Sequence, residues 1–294
     1  MKVIVHIGPP KTATSSLQLA LEAVADSRVC YGGAFHPRHR DVDSLNYRII
    51  EACSAEQEPD AAFAAIRTEI RDLSSRHAVL ILSEEQFLVD WKPSSRTRLS
   101  RLRQLMAGVD CRILVTLRRA GEALPSLYQQ MFQQVHSADV PDFSAFCSHS
   151  LASCFDYLKV CRLLADVGFA DVRLLPFADL VSGGLTLGDV TGCQELGDIA
   201  LALPHENKSR TGTSGTERLI PGLTLKTALG RSAAALELIR LSGLRRWKHY
   251  EALAAQLDRL VWRPGRLEQL TVPPAVLQAL DASYDQALLE FDQR

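Results

Sequence analysis

The sequence predicts an α/β fold of three layers: a mainly parallel central sheet flanked by helices, with extra helices at the C-terminal end. Three observations lead there. Val3-Ile4-Val5-His6-Ile7 is a short β-branched apolar run, broken by Gly8-Pro9-Pro10 and followed by a helical pattern from Leu17. Residues 78–82 form a continuous apolar run, as a strand buried on both faces does, and residues 111–117 form a second strand of that kind. Between these runs the apolar residues recur at helical spacing.

The elements follow in order. A first helix is expected over 14–25. Residues 26–42 carry Gly32, Gly33 and Pro37 and read as irregular. Helices are expected over 43–55 and 59–75, the second with Ala62, Phe63, Ile66, Ile70 and Leu73 as its apolar stripe. The strand 78–82 runs out into Ser83-Glu84-Glu85-Gln86-Phe87. A helix over 95–107 precedes the strand 111–117, which leads into Arg118 and a further helical stretch. Helices over 142–149 and 155–165 precede a last strand, 171–177, and Gly183-Gly184 marks a turn before a short helix. The polar stretch 205–215 reads as a loop, and 216–294 as mostly helical, with Pro273-Pro274 opening the final helix.

With 294 residues the chain suffices for one large domain, 1–294, of which 216–294 form the helical extension. A hydrophobic content of 47% and a charged content of 23% belong to a soluble globular protein. A net charge of −1 gives no dominant attraction to nucleic acid or to an anionic membrane. No apolar run approaches the ~20 residues of a membrane span, and the N-terminal residues lack the layout of a signal peptide. The seven cysteines form no C-x-x-C pair and read as reduced thiols of a cytoplasmic protein. Cys147, Cys154 and Cys161 recur every seven residues, a core stripe if one helix carries them; no metal site is expected.

The first chemistry-bearing stretch is Pro10-Lys11-Thr12-Ala13-Thr14-Ser15-Ser16, a loop and first helical turn holding one lysine and four hydroxyls. A helix N-terminus offers unpaired N–H groups and a positive dipole end, so this is an anion site. The lysine adds a point charge suited to phosphate. The Walker spacing G-x-x-x-x-G-K-[ST] is not met, because Lys11 follows Pro10 and stands three residues after Gly8. The stretch instead resembles the 5′-phosphosulfate loop, P-K-[TS]-G-T-[TS], of sulfotransferases that use 3′-phosphoadenosine 5′-phosphosulfate (PAPS). It departs at Ala13, where the family carries glycine. A methyl there is tolerable if Ala13 already lies in the first helical turn.

The second stretch follows the strand 111–117. Arg118 at the strand end and Ser126 in the next helix can both face an anion. Their spacing resembles the 3′-phosphate loop of the same family, and Arg118-Arg119-x-x-Glu122-x-x-x-Ser126-x-Tyr128 is similar to its bacterial and carbohydrate-acting branches. The resemblance implies a P-loop-like fold and transfer of a sulfuryl group from PAPS to an acceptor, leaving adenosine 3′,5′-bisphosphate. It implies that Lys11 stabilises the departing 5′-phosphate, that Pro10 to Ser16 hold the 5′ end, and that Arg118 and Ser126 hold the 3′-phosphate.

It further implies a glutamate base, for which Glu85 fits through Ser83-x-Glu85-x-Phe87, with Glu84 next. Local features alone leave both glutamates equally readable as capping acids. Lys208 and Arg210 match a late basic loop that closes over the nucleotide, or else belong to a plain linker. His36 and His39 either touch substrate or are exposed loop histidines. The expected acceptor is a carbohydrate, glycolipid or small hydroxylated metabolite. A P-loop kinase or nucleotide hydrolase, and a non-catalytic nucleotide-binding protein, are the other classes open to the sequence.

Overall fold

The computed structural model describes residues 1–33, 35–36, 39–40, 42–57, 59–90, 92–137, 139–204, 217–224, 256 and 259–291; for 35–36, 39–40, 224 and 261–263 it describes the backbone alone. The chain divides into two compact units. The first comprises Met1–Ala123, Ser150–Arg210 and Ala275–Arg294, and the second Leu124–His149 and Thr211–Pro274.

The first unit holds a five-stranded parallel sheet built from β1 (Lys2–His6), β2 (Val29–Tyr31), β5 (Val79–Ser83), β6 (Cys111–Leu117) and β7 (Val172–Pro176), in the order β2-β5-β1-β6-β7. β1 is central. It pairs with β5 from Lys2↔Val79 to His6↔Ser83 and with β6 from Val3↔Cys111 to His6↔Leu114. Chain progression goes to one side of β1 and then to the other, so the sheet reverses its winding there. In open α/β sheets the crevice beyond the strand ends at such a point is the ligand site. Burial explains the unbroken apolar runs: Val3, Ile4, Val79, Leu80, Ile113 and Val115 have no exposed surface.

Helices flank the sheet in the three-layer arrangement that the sequence predicts. α1 (Thr14–Glu22) buries Leu17, Ala20 and Leu21 in one core with Ile4, Ile81 and Leu114; α8 (Phe177–Ser182) and α9 (Leu187–Thr191) add Leu180, Leu187 and Val190 to it. α2 (Leu45–Ser54) is N-capped by Ser44, which accepts from the Tyr47 N–H. α3 (Asp60–Ser74) buries Phe63, Ile66 and Ile70, three of its five predicted stripe positions. α4 (Ser95–Leu105) leads to β6, and α5 (Ala120–Val135) leaves it. No described helix is long and apolar enough to cross a membrane.

Three local expectations are corrected. Residues 26–42 contain the edge strand β2, paired from Val29↔Val79 to Tyr31↔Ile81, and a backbone pairing of β3 (Phe35–His36) with β4 (His39–Arg40). Strands this short have no readable period, and the glycines beside them dominate the pattern. The three spaced cysteines do not share one helix. Cys147 ends α6 (Phe143–Cys147), Cys154 lies in the 3₁₀ stretch Ser150–Phe155, and Cys161 is on α7 (Tyr157–Asp166); all three are buried.

Residues 216–294 are not helical throughout. β8 (Glu217–Ile220) pairs antiparallel with β11 (Arg266–Gln269), and β9 (Leu223–Thr224) with β10 (Val261–Arg263). Pro221-Gly222 and Pro264-Gly265 are the turn signals that separate these strands. Both pairs belong to the second unit, where α5 side chains reach them: Gln129 Nε2 donates to the Leu219 carbonyl and Gln133 Nε2 to that of Gly222, each at 2.8 Å. The final helix, Pro274–Phe291, forms as the prolines predict.

Candidate functional site

The loop after β1 has an unusual backbone. Lys11 and Ala13 both adopt positive φ, +72° and +64°, although neither is glycine. Ala13 is not in the first helical turn, as its tolerance in the sequence would require. It is the N-cap of α1 in the left-handed region, at a cost of about 1–2 kcal/mol. The helix ladder begins with Leu17 N–H donating to the Ala13 carbonyl at 2.9 Å. The N–H groups of Thr14, Ser15 and Ser16 therefore have no partner in the helix, and Ala13 offers no side-chain cap. A left-handed residue followed by a right-handed one turns successive N–H groups into one concavity, which suits an oxyanion.

A buried polar chain fixes this loop. The His6 ring is wholly buried between Ser83 and Thr116, with Nδ1 2.8 Å from Ser83 Oγ and Nε2 3.1 Å from Thr116 Oγ1. Thr116 Oγ1 is 2.7 Å from Thr12 Oγ1, which donates to the Pro9 carbonyl at 2.6 Å. Pro9 can only accept, so the direction of every bond follows. Thr12 gives its proton to Pro9, Thr116 gives its proton to Thr12, and His6 donates from Nε2 to Thr116. His6 Nδ1 then accepts from Ser83. Burial pulls the His6 pKa down to about 3, which keeps this neutral tautomer. Gly8 stands against the chain. A Cβ there would come within 2.0 Å of Thr116 Oγ1 and 2.8 Å of His6 Nε2, so no larger residue fits. The Thr12 hydroxyl is thus committed to the loop's interior, whereas the buried Thr14 hydroxyl has no partner.

At the end of β5, Gln18 Nε2 and Asn46 Nδ2 both donate to the Ser83 carbonyl, at 3.0 and 2.8 Å. They fix the point from which Glu84 and Glu85 depart. The two glutamates have different surroundings. Glu84 is 2% exposed, and its Oε1 accepts from the Gln86 N–H at 3.0 Å, capping the 3₁₀ turn Glu85–Phe87; its Oε2 has no partner. Burial pushes the Glu84 carboxyl up to about 8, so it is mostly protonated at neutral pH. Glu85 is half-buried and interacts with Lys11. Burial raises the Glu85 pKa and Lys11 opposes the rise. For Lys11 burial lowers the pKa, Glu85 opposes this, and Arg118 adds to it. Among the described residues the Lys11 ammonium has no hydrogen-bond or salt-bridge partner.

Arg118 stands just beyond the last residue of β6. Its Nη1 donates to the Lys11 carbonyl at 2.9 Å, its Nε to Glu122 at 3.2 Å, and its guanidinium lies over the Phe177 ring at 4.1 Å. Lys11, Glu85 and Arg118 are therefore brought together from the ends of three neighbouring strands, β1, β5 and β6. Pro10 is buried, and Ser15 and Ser16 are half-buried on the first turn of α1. Ser126 is half-buried on α5, in the second unit. Of His36 and His39 only the backbone is described, and Lys208 and Arg210 lie outside the described residues. The sequence gives no site role to His6 or Thr116, and marks Gly8 only as a strand break and Ser83 only as a flank of Glu85; a histidine and a threonine inside otherwise apolar strands were the available signal.

Among the described residues no group of three or more His, Cys, Asp or Glu is placed to hold a metal ion. No protein-family model matches the chain, and no curated protein matches it.

Proposed function

We propose that this chain is a sulfotransferase that moves the sulfuryl group of PAPS to a hydroxyl or amine acceptor. The observation that carries the proposal is the convergence of Lys11, Glu85 and Arg118 on a loop whose first-turn N–H groups have no partner in the helix and whose buried Thr14 hydroxyl has none either. Lys11, Arg118 and the first-turn N–H groups are the donors that a phosphosulfate end requires, and Glu85 is the base beside them. PAPS supplies the activated sulfuryl group. The acceptor oxygen or nitrogen forms the new bond to sulfur as the bond from sulfur to the bridging oxygen breaks, in line.

Lys11 supplies positive charge to the departing phosphate, and its lowered pKa reflects a partly desolvated ammonium that interacts strongly with such charge. Glu85 takes the acceptor's proton. Glu84 is a poorer base because it is buried, protonated and engaged as a cap. Arg118 holds the 3′-phosphate. The near-neutral net charge favours an uncharged acceptor, such as a carbohydrate, glycolipid or small metabolite, over a densely anionic polymer.

Calorimetric titration with adenosine 3′,5′-bisphosphate, followed by a labelled-sulfate transfer screen over hydroxylated acceptors, tests the proposal. Bisphosphate binding together with transfer is the expected result. Magnesium-dependent ATP turnover without bisphosphate binding would replace it with a kinase or hydrolase.

A further inference from the structure

Resting on the role proposed for Arg118, we infer that Tyr157, far from the anion loop in sequence, is a positioning residue that sets selectivity for a 3′-phosphate. The Tyr157 hydroxyl grips Arg118 by both main-chain groups. It accepts from the Arg118 N–H at 2.8 Å and donates to the Arg118 carbonyl at 3.0 Å. Arg118 follows Leu117↔Pro176, the last pair between β6 and β7, so its main chain has run out of ladder there. The phenol takes the place of the missing strand partner. It thereby fixes the Cα from which the guanidinium extends.

Tyr157 is itself held. It is 1% exposed and begins α7. Its ring meets Tyr284 of the C-terminal helix edge-on at 5.8 Å, and Tyr284 lies beneath the Arg119 guanidinium at 4.4 Å. Ser283 of the same helix accepts from the Leu158 N–H at 2.9 Å and donates to Asp156, the N-cap of α7, at 2.6 Å. The C-terminal helix thus braces the tyrosine that braces the arginine. Tyr157 touches no substrate in this scheme and acts through Arg118 alone.

Tyr157→Phe removes the hydroxyl and keeps the ring. Calorimetry with adenosine 3′,5′-bisphosphate and with adenosine 5′-monophosphate, on wild type and variant, separates the possibilities. Wild type is expected to bind the bisphosphate more tightly. The variant should lose about tenfold in bisphosphate affinity and stay within about twofold for the monophosphate, as expected when two hydrogen bonds that orient one arginine are removed. Unchanged bisphosphate affinity, or equal loss for both nucleotides, would overturn the inference. A wild type that binds both nucleotides equally would instead overturn the 3′-phosphate role of Arg118, and the inference with it. Should Tyr157→Phe not fold, Ser283→Ala, which loosens the start of α7, must give the same selective loss at smaller size; no selectivity change there would overturn the inference as well.

Discussion

The Arg118 guanidinium donates to the main-chain carbonyl of Lys11 at 2.9 Å, joining the end of β6 to the loop after β1. Lys11 is in the left-handed region, where a non-glycine residue stays only if its surroundings fix it. Arg118 is part of that fixing. It is in turn held by Glu122 and by the face of Phe177. Two of its five N–H groups are used in these contacts, which leaves the others for an anion.

Arg118→Lys keeps the charge and loses the planar fork, so it cannot hold both the Lys11 carbonyl and a phosphate. Affinity for adenosine 3′,5′-bisphosphate is expected to fall at least about tenfold, or about 1.4 kcal/mol. Calorimetry reads the loss, and a melting curve reads the accompanying destabilisation. Undiminished affinity would mean that charge alone matters at this position.

The two left-handed residues can be separated by glycine. Relief of the Cβ clash is opposed by the added freedom of glycine in the unfolded chain, so Lys11→Gly and Ala13→Gly should each stabilise the protein by up to about 1 kcal/mol. Their activities should diverge. Ala13→Gly retains sulfate transfer, whereas Lys11→Gly abolishes it, because only Lys11 brings charge. Denaturant midpoints and a transfer assay on the pair check this; retained transfer in Lys11→Gly would remove Lys11 from the chemistry.

How far the sequence showed the site depends on how local each relationship is. Lys11 and Arg118 were legible because a strand followed by a polar break places the next residues at the sheet's edge. The conformation of Ala13 was not, since alanine prefers a helical turn and only the loop's outside contacts hold it left-handed. The His6 chain was hidden for another reason: Ser83 and Thr116 lie 77 and 110 residues away, beyond any spacing rule. Glu84 and Glu85, adjacent in sequence, could be told apart only once the 3₁₀ turn showed which one is buried as its cap. The strands near 217–224 and 261–269 were too short for their period to compete with the surrounding helical pattern.

Glu85→Gln keeps the shape of the side chain and removes the base. Turnover should fall by about 10²–10⁴ while bisphosphate affinity is kept, because the proton is moved only during transfer. Glu84→Gln should leave turnover within a few fold. A large loss in Glu84→Gln, with Glu85→Gln active, would exchange their roles. Steady-state rates and calorimetry on both variants decide it.

Glu84 also makes stability depend on pH. Its carboxyl has an ordinary value of 4.5 and is pushed up to about 8 in the fold, so the folded protein holds a proton that the unfolded chain has released. The stability this contributes is complete below pH 4.5 and is lost as pH rises through 8. Gln at position 84 cannot ionise, and its carbonyl still accepts from the Gln86 N–H. Urea midpoints of the wild type should therefore fall from about pH 5 to about pH 8 and level off above, while those of Glu84→Gln stay nearly level. At the alkaline end the variant should be the more stable by several kcal/mol, roughly 1.4 kcal/mol for each unit by which burial raises the carboxyl. Parallel curves for the two proteins would show that Glu84 ionises as an ordinary carboxylate and that its burial is relieved some other way.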